Sequence, residues 1–283
     1  MSNLAIVTDS TSDLATATAS EHGVTIVPLL VIHEDRQYLD GIDITSETFY
    51  PLLKSGGRLP TTSQPSPLTF ENVYRRLLET AGEIISIHIS GGLSATVESA
   101  RRAASTVAPD RIQVLDSGFV TYALALQVLE AARLAQSGST AQDVVSAMSR
   151  IKSKMELVFT LDTLEYLHKG GRIGKVSALM GALLDIKPVI RMEGGLLVPA
   201  GKARSMKSAL RAIVDLLGRK FGDKKVVAAV GHGSGAEFAA QLRDMVASSL
   251  NVQGDIVPFE IGPVVGVHAG PGAVGVAVRP VEY

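Results

Sequence analysis

Two stretches concentrate the side chains that could hold or transform a ligand. Leu59-Pro60-Thr61-Thr62-Ser63-Gln64-Pro65-Ser66-Pro67 sets hydroxyls and an amide among three prolines, which fix φ and keep those groups in place. Without a ligand, the same stretch reads as a rigid linker. Gly262-Pro263-Val264-Val265-Gly266-Val267-His268-Ala269-Gly270-Pro271-Gly272 places one histidine in a frame of glycine and proline. Little side-chain bulk surrounds it, so packing alone does not account for His268. Three more groups follow apolar runs: Asp9-Ser10-Thr11, Ser90-Gly91-Gly92-Leu93-Ser94 and Asp116-Ser117-Gly118. Asp9 and Asp116 read as helix caps that satisfy free N–H groups. At Ser94 the Gly91-Gly92 pair lets a ligand approach the backbone, and a hydroxyl at a helix start seats a carboxylate or phosphate.

Other chemistries fail on spacing. Gly174-Lys175 is followed by Val176, where a phosphate-binding loop requires Ser or Thr, and the first glycine of that loop would fall on Lys169. Gly231-His232-Gly233-Ser234-Gly235 is no nucleophile elbow, because His232 stands where that turn needs glycine. The histidines (His22, His33, His88, His168, His232, His268) show no pair with metal-ligand spacing, and there are no cysteines. No metal, no cofactor and no thiol chemistry are expected.

The candidate groups sit at the ends of regular elements. Leu4 to Val7, Ile84 to Ile89 and Ile112 to Leu115 are largely apolar runs followed by helical patterns, and Val24 to Ile32 reads as a further buried strand. Ser139 with Gln142 reads as a capping box for a helix running to about Met155. Buried strands alternating with helices mean a parallel sheet covered on both faces, and ligands then bind outside the carboxyl ends of the strands. After Leu157 the texture changes. Strand Leu157 to Leu161, helix Asp162 to Lys169 and an almost wholly apolar helix, Val176 to Leu184, lead to a hairpin around Glu193-Gly194-Gly195. A long helix from Ser205 to Phe221, strand Val226 to Val230, helix Ala236 to Ser249 and two last strands complete a mixed-sheet unit. The expected fold class is therefore α/β, with two α/β domains, 1–157 and 158–283.

Composition bounds the function. Of 283 residues, 46% are hydrophobic and 19% charged, and the formal net charge is −1; this is a globular chain with no field that would draw nucleic acid. No apolar run reaches the roughly 20 residues that span a bilayer, and the start lacks a cationic signal region. No nucleic-acid partner, no stable membrane insertion and a cytoplasmic location are the expectations.

Val7-Thr8-Asp9-Ser10-Thr11-Ser12-Asp13-Leu14, Thr62-Ser63-Gln64-Pro65-Ser66, Ser90 to Ala100, Asp116-Ser117-Gly118, Gly170-Gly171-Arg172-Ile173-Gly174 and His268-Ala269-Gly270-Pro271-Gly272 follow one another in this order. Together they resemble the DegV family, bacterial fatty-acid-binding proteins that include the binding subunits of fatty acid kinase. The resemblance spans nearly the whole chain. It departs at Ala95 and Gly91, in a loop that usually reads Ser-Gly-Leu-Ser-Gly-Thr, and at Ala269, where threonine is common. The resemblance implies a long-chain fatty acid between two domains, its carboxylate held by Thr62, Ser94 and His268, with Thr61, Ser63, Gly92 and Arg172 in support. It implies that the chain is no enzyme itself: a separate fatty acid kinase catalytic subunit phosphorylates the bound carboxylate. Val176 to Leu184 is then either one wall of an acyl tunnel or a plain core helix. Lys202 and Arg204, in a basic run with Lys207, are either a solvated face or the surface on which the kinase docks. The competing reading is a stand-alone enzyme acting on a small carboxylated or phosphorylated metabolite, with His268 as acid and base.

Overall fold

A computed structural model describes residues 4–180 and 186–283. The first part of the chain runs β1 (Leu4–Asp9), α1 (Thr16–Glu21), β2 (Val24–Val27), β3 (Leu30–His33), β4 (Arg36–Leu39), α2 (Ser46–Lys54), β5 (Thr61–Ser63), α3 (Pro67–Leu77), β6 (Glu83–His88), α4 (Thr96–Val107), β7 (Ile112–Asp116), α5 (Tyr122–Gln136) and α6 (Ala141–Lys154). It continues with β8 (Glu156–Thr160), α7 (Glu165–Lys169), β9 (Lys187–Glu193), β10 (Leu196–Ala203), α8 (Met206–Phe221), β11 (Val226–Gly233), α9 (Ala236–Ser249), β12 (Val257–Glu260), α10 (Pro263–Ala269) and β13 (Ala273–Pro280).

The apolar runs of the first part form a four-stranded parallel sheet in the order β2-β1-β6-β7. Side chains alternate across it. Val7 and Ile84 face a core with Phe70 and Tyr74 of α3 and Ala100 and Ala103 of α4, whereas Ile6, Ile85 and Ile87 face a core filled by α5 and α6. The second sheet is mixed, ordered β10-β9-β8-β13-β11-β12, with only β11 and β12 parallel. One of its faces packs on α8 and α9. Leu157, Ile190 and Ala277 on the other face join the α5 and α6 core, so one apolar cluster runs through both sheets. The β9–β10 hairpin turns at Gly194 and Gly195, whose φ values of 59° and 80° explain the glycine pair.

Three expectations change. The capping box before α6 is formed by Thr140 with Asp143, one residue on from the expected Ser139 and Gln142. Val24 to Ile32 is not one strand. It breaks at Pro28, which has no N–H to give a ladder; β2 pairs with β1, while β3 enters a separate antiparallel sheet ordered β4-β3-β5. The stiff Thr61-Thr62-Ser63 segment is β5 of that sheet, paired with β3. Val176 to Leu184 is not an apolar α-helix over its described part: Gly174–Leu179 is a 3₁₀ helix in which only Val176 is buried. An unbroken apolar run carries no period that tells a helix from another buried segment. Residues 181–184 of that expected helix lie outside the described residues.

Candidate ligand-binding cavity

The carboxyl ends of β1, β6 and β7 face β5, α10 and the inner face of the second sheet. Between them lies a cavity that is partly open to solvent. Its walls are mostly apolar, from Leu29 and Ile89 through Leu157, Phe159 and Leu167 to Phe259 and Ile261. Thr62, Ser63, Gln64, Ser94, Arg172 and His268 supply polar lining groups.

Short-range structure aims each of these side chains. Pairing of β5 with β3 places Thr62 opposite Val31, while Thr61 at the start of the strand is exposed. Thr62 Oγ1 lies 2.8 Å from Nε2 of His268, 206 residues along the chain. Ser94 ends the turn after β6, its N–H bonded to the Ser90 carbonyl at 3.1 Å and its Oγ 2.9 Å from Thr96 Oγ1. Arg172 donates to the Leu93 carbonyl at 3.2 Å and to the Gly170 carbonyl at 2.9 Å, tying the Gly170-Gly171-Arg172 turn to the Ser94 turn. Thr62, Ser63, Ser94, Arg172 and His268 thus all line one cavity.

Thr61 and Gly92 do not line it. Gly92 is glycine for a different reason from the one expected: a Cβ there would meet the Gly195 carbonyl oxygen at 2.5 Å. The close approach is made by the β9–β10 turn, to which Ser90 Oγ also donates at 2.6 Å. His268 is helical. It sits in α10, which begins with Pro263 at its first turn, a position where the missing N–H costs nothing. A Cβ at Gly170 would run into His268 Nδ1, so that glycine makes room for the ring.

The placement of α10 depends on groups far away in sequence. The Gly262 N–H donates to Asp13 Oδ1 at 3.0 Å and the Val264 N–H to Asp40 Oδ1 at 3.4 Å. Tyr50 and Ser46 donate their hydroxyls to the Ile261 carbonyl at 3.0 and 3.3 Å. Carboxylates at a helix N-terminus complement its partial positive charge, but Asp13 and Asp40 also lie near each other and near Asp9, whose like charges add to the cost of ionising them. Burial pushes Asp40 up to about 6 and Asp13 well above the usual carboxylate range. His268 moves the other way: burial first, then the Arg172 guanidinium, hold it down to about 4. Its imidazole is therefore neutral at pH 7. If Nε2–H donates to Thr62 Oγ1, the Thr62 hydroxyl proton is free to donate in turn to a ligand oxygen.

Asp9, read as a cap, does cap the 3₁₀ turn Ser10–Ser12 through the Thr11 N–H at 3.1 Å. Its second oxygen also accepts from the Ile89 N–H at 3.0 Å and meets His88 Nδ1 at 2.9 Å, a buried chain continuing to Ser86 and Tyr74. This holds the ends of β1 and β6 together beneath the cavity. Thr11, from the Asp9-Ser10-Thr11 group that the sequence offers, lines the cavity, whereas Thr121 and the large apolar walls Phe159 and Phe259 are not marked by the sequence as lining residues. The phenylalanines carry no signal there, since an alternating apolar strand looks the same whether it faces a core or a cavity. Thr121 carries a faint one, a threonine directly before a helix.

The family model described as "Uncharacterised protein, DegV family" matches residues 3–281. The chain belongs to the DegV family. A DegV domain-containing protein of Deinococcus radiodurans is 43% identical, the match covering 99% of each chain. Among solved structures, this DegV-family chain is similar to a DegV family protein from Thermus thermophilus described by its fatty acid binding, with a TM-score of 0.94, 36% identity and coverage of 98% and 99% of the two chains. It is also similar to DegV from Bacillus subtilis, described as a fatty acid binding protein, with a TM-score of 0.89, 31% identity and coverage of 99% and 100%. A stearic acid-binding protein from Eubacterium ventriosum matches with a TM-score of 0.86, 29% identity and 97% coverage of both chains. Among the described residues, no helix is long and apolar enough to cross a membrane.

Proposed function

We propose that this chain binds a long-chain fatty acid in the cavity, carboxylate at the polar rim, and presents it to a separate kinase for conversion to an acyl phosphate. The observation that carries the reading is the lining itself: a mostly apolar enclosure with Thr62, Ser94 and a neutral His268 in its wall. Enclosing a C16 chain is worth on the order of 10 kcal/mol gross, at about 0.8 kcal/mol per CH₂, so the rim has to orient the carboxylate rather than supply most of the affinity. Thr62 and Ser94 donate to one carboxylate oxygen, with Arg172 and Ser63 in support. The other oxygen keeps its lone pairs and attacks the γ-phosphorus of ATP held by the kinase; the β–γ bond breaks and ADP leaves. Neutral donors suit this step, because a bidentate guanidinium would draw charge off the nucleophile.

The two-domain division, 1–157 and 158–283, serves this reading: the first supplies Thr62 and Ser94, the second His268, Arg172 and much of the acyl wall. Lys202 and Arg204 are exposed at the far end of β10 and form part of the kinase-docking face. Lys202 lies about 17 Å along the strand from Leu197 of the cavity wall, a span that one interface covers. Native mass spectrometry of the protein purified from a bacterial host tests the first step. A bound mass in the C14 to C18 fatty acid range supports it; a ligand-free protein that also fails to take up added palmitate overturns it.

A further inference from the structure

The polar groups of the cavity wall are not confined to the residues assigned to the carboxylate. Thr11 and Thr121 also line it, from the turns that follow β1 and β7. Thr11 is spoken for, since its hydroxyl donates to Asp9 Oδ1 at 2.5 Å. Thr121 is different. It is 6% exposed, and its Oγ1 is buried with no hydrogen-bond partner among the described residues. Its backbone is fully used: the N–H donates to the Thr11 carbonyl at 2.8 Å, and its own carbonyl accepts from the Leu124 N–H at 2.9 Å. Only the side-chain hydroxyl is left over, in a wall shared with Val120, Leu157 and Phe259.

Thr121 also stands directly before α5, whose 15 residues begin with no side-chain cap. The buried start of that helix, with its partial positive charge, therefore lies beside the unused hydroxyl. The residue is held at φ 56°, ψ −147°, a conformation that costs a β-branched side chain and suits glycine. A valine would match its shape without burying an unpaired hydroxyl, and a glycine would relieve the backbone. A pure hydrocarbon chain passing this point leaves the hydroxyl unpaired. An oxygen on the chain would pair with it, because a hydroxyl both donates and accepts.

We infer that Thr121 and the first turn of α5 form an inner polar station that takes an oxygen borne on the acyl chain, so that the cavity accepts chains with a mid-chain hydroxyl or oxo group. This rests on the reading of the cavity as a fatty acid site. A site with a buried hydrogen-bonding group discriminates between a partner that pairs with it and an analogue that does not. The same chain oxygen in a wholly apolar tunnel would lose its water contacts and gain nothing.

Calorimetric titration of delipidated protein with stearate, 10-hydroxystearate and 12-hydroxystearate tests the station. In the wild type at least one hydroxystearate binds as tightly as stearate or more tightly. In Thr121→Val that acid weakens about tenfold while stearate changes less than about twofold, which also shows that the variant is folded. Thr121→Ser keeps the wild-type ratio. An unchanged ratio in Thr121→Val, as when a water molecule satisfies Oγ1, overturns the inference and leaves the fatty acid reading intact. So does a wild type that binds every hydroxystearate more than tenfold more weakly than stearate. If stearate and the hydroxystearates all fail to bind the wild type, the fatty acid reading falls and the station with it.

Discussion

At the rim of the cavity, Thr62, Ser94 and His268 come from β5, the turn before α4, and α10, and each is held by polar contacts between remote parts of the chain. In the interior, Leu157, Phe159 and Gly275 come from neighbouring strands of one sheet and are held by packing. The difference sets what each region tolerates. Interiors accept volume-conserving changes with modest loss, whereas a rim group that loses one partner leaves another polar group stranded. The titrating carboxyls Asp13 and Asp40 seat α10 behind the rim, so pH acts there rather than on the walls.

The largest effect expected is at the anchor. Thr62→Ala combined with Ser94→Ala should weaken fatty acid binding about a hundredfold or more, since hydrogen bonds to a charged group are worth roughly 1.5–3 kcal/mol each. Titration of C14 and C18 acids sharpens the contrast: the wild type favours the longer chain through its walls, and the double variant should keep that ratio. A loss confined to one chain length would mean that rim and interior are not separable.

Next comes the support behind the rim. Asp40, 4% exposed, goes from an ordinary value of 3.8 to about 6 on folding, so the folded state binds its proton more tightly than the unfolded state. That contribution is fully present below about pH 4 and is lost as pH rises to about 6, a change of about 3 kcal/mol. Asp13 shifts in the same direction. Asp40→Asn removes the titration, so its melting temperature relative to wild type should rise across pH 4 to 6.5. Leu167→Ala, a wall substitution, should show a constant offset instead. A flat difference for Asp40→Asn would break the assignment of the pH response to the support behind the rim.

His268→Ala should slow phosphorylation of the bound acid by a reconstituted kinase about tenfold or more, while weakening binding less than the Thr62 and Ser94 pair does. Normal turnover would remove His268 from the presenting step. The smallest effect is expected on the outer surface. Lys202→Glu with Arg204→Glu should slow phosphorylation a few-fold, and added salt should slow the wild type in the same sense. Fatty acid occupancy measured by native mass spectrometry should stay unchanged; a fall in occupancy would place these residues in folding or in the tunnel.

Much of this was legible in the residues alone. Largely apolar runs ending in Asp9, Ser90 and Asp116 specify a parallel sheet with its turns at one edge, because buried strands need apolar side chains on both faces. Prolines around Thr62 and glycines around His268 mark rigid, close-fitting backbone. Local pattern could not place Gly92, whose glycine serves the hairpin at Gly195 rather than a ligand, or split Val24 to Ile32 between two sheets. It could not show that Asp13 and Asp40 seat α10, since that depends on groups more than 200 residues apart. The apolar walls were invisible for a related reason: a side chain facing a cavity and one facing a core obey the same alternation. Sequence determined which elements form and where polar groups cluster, because those follow from local hydropathy and turn chemistry. The tertiary structure alone decided which clusters meet, which hydroxyl is left unpaired at Thr121, and that His268 is neutral, because burial and long-range contact exist only once the chain has closed on itself.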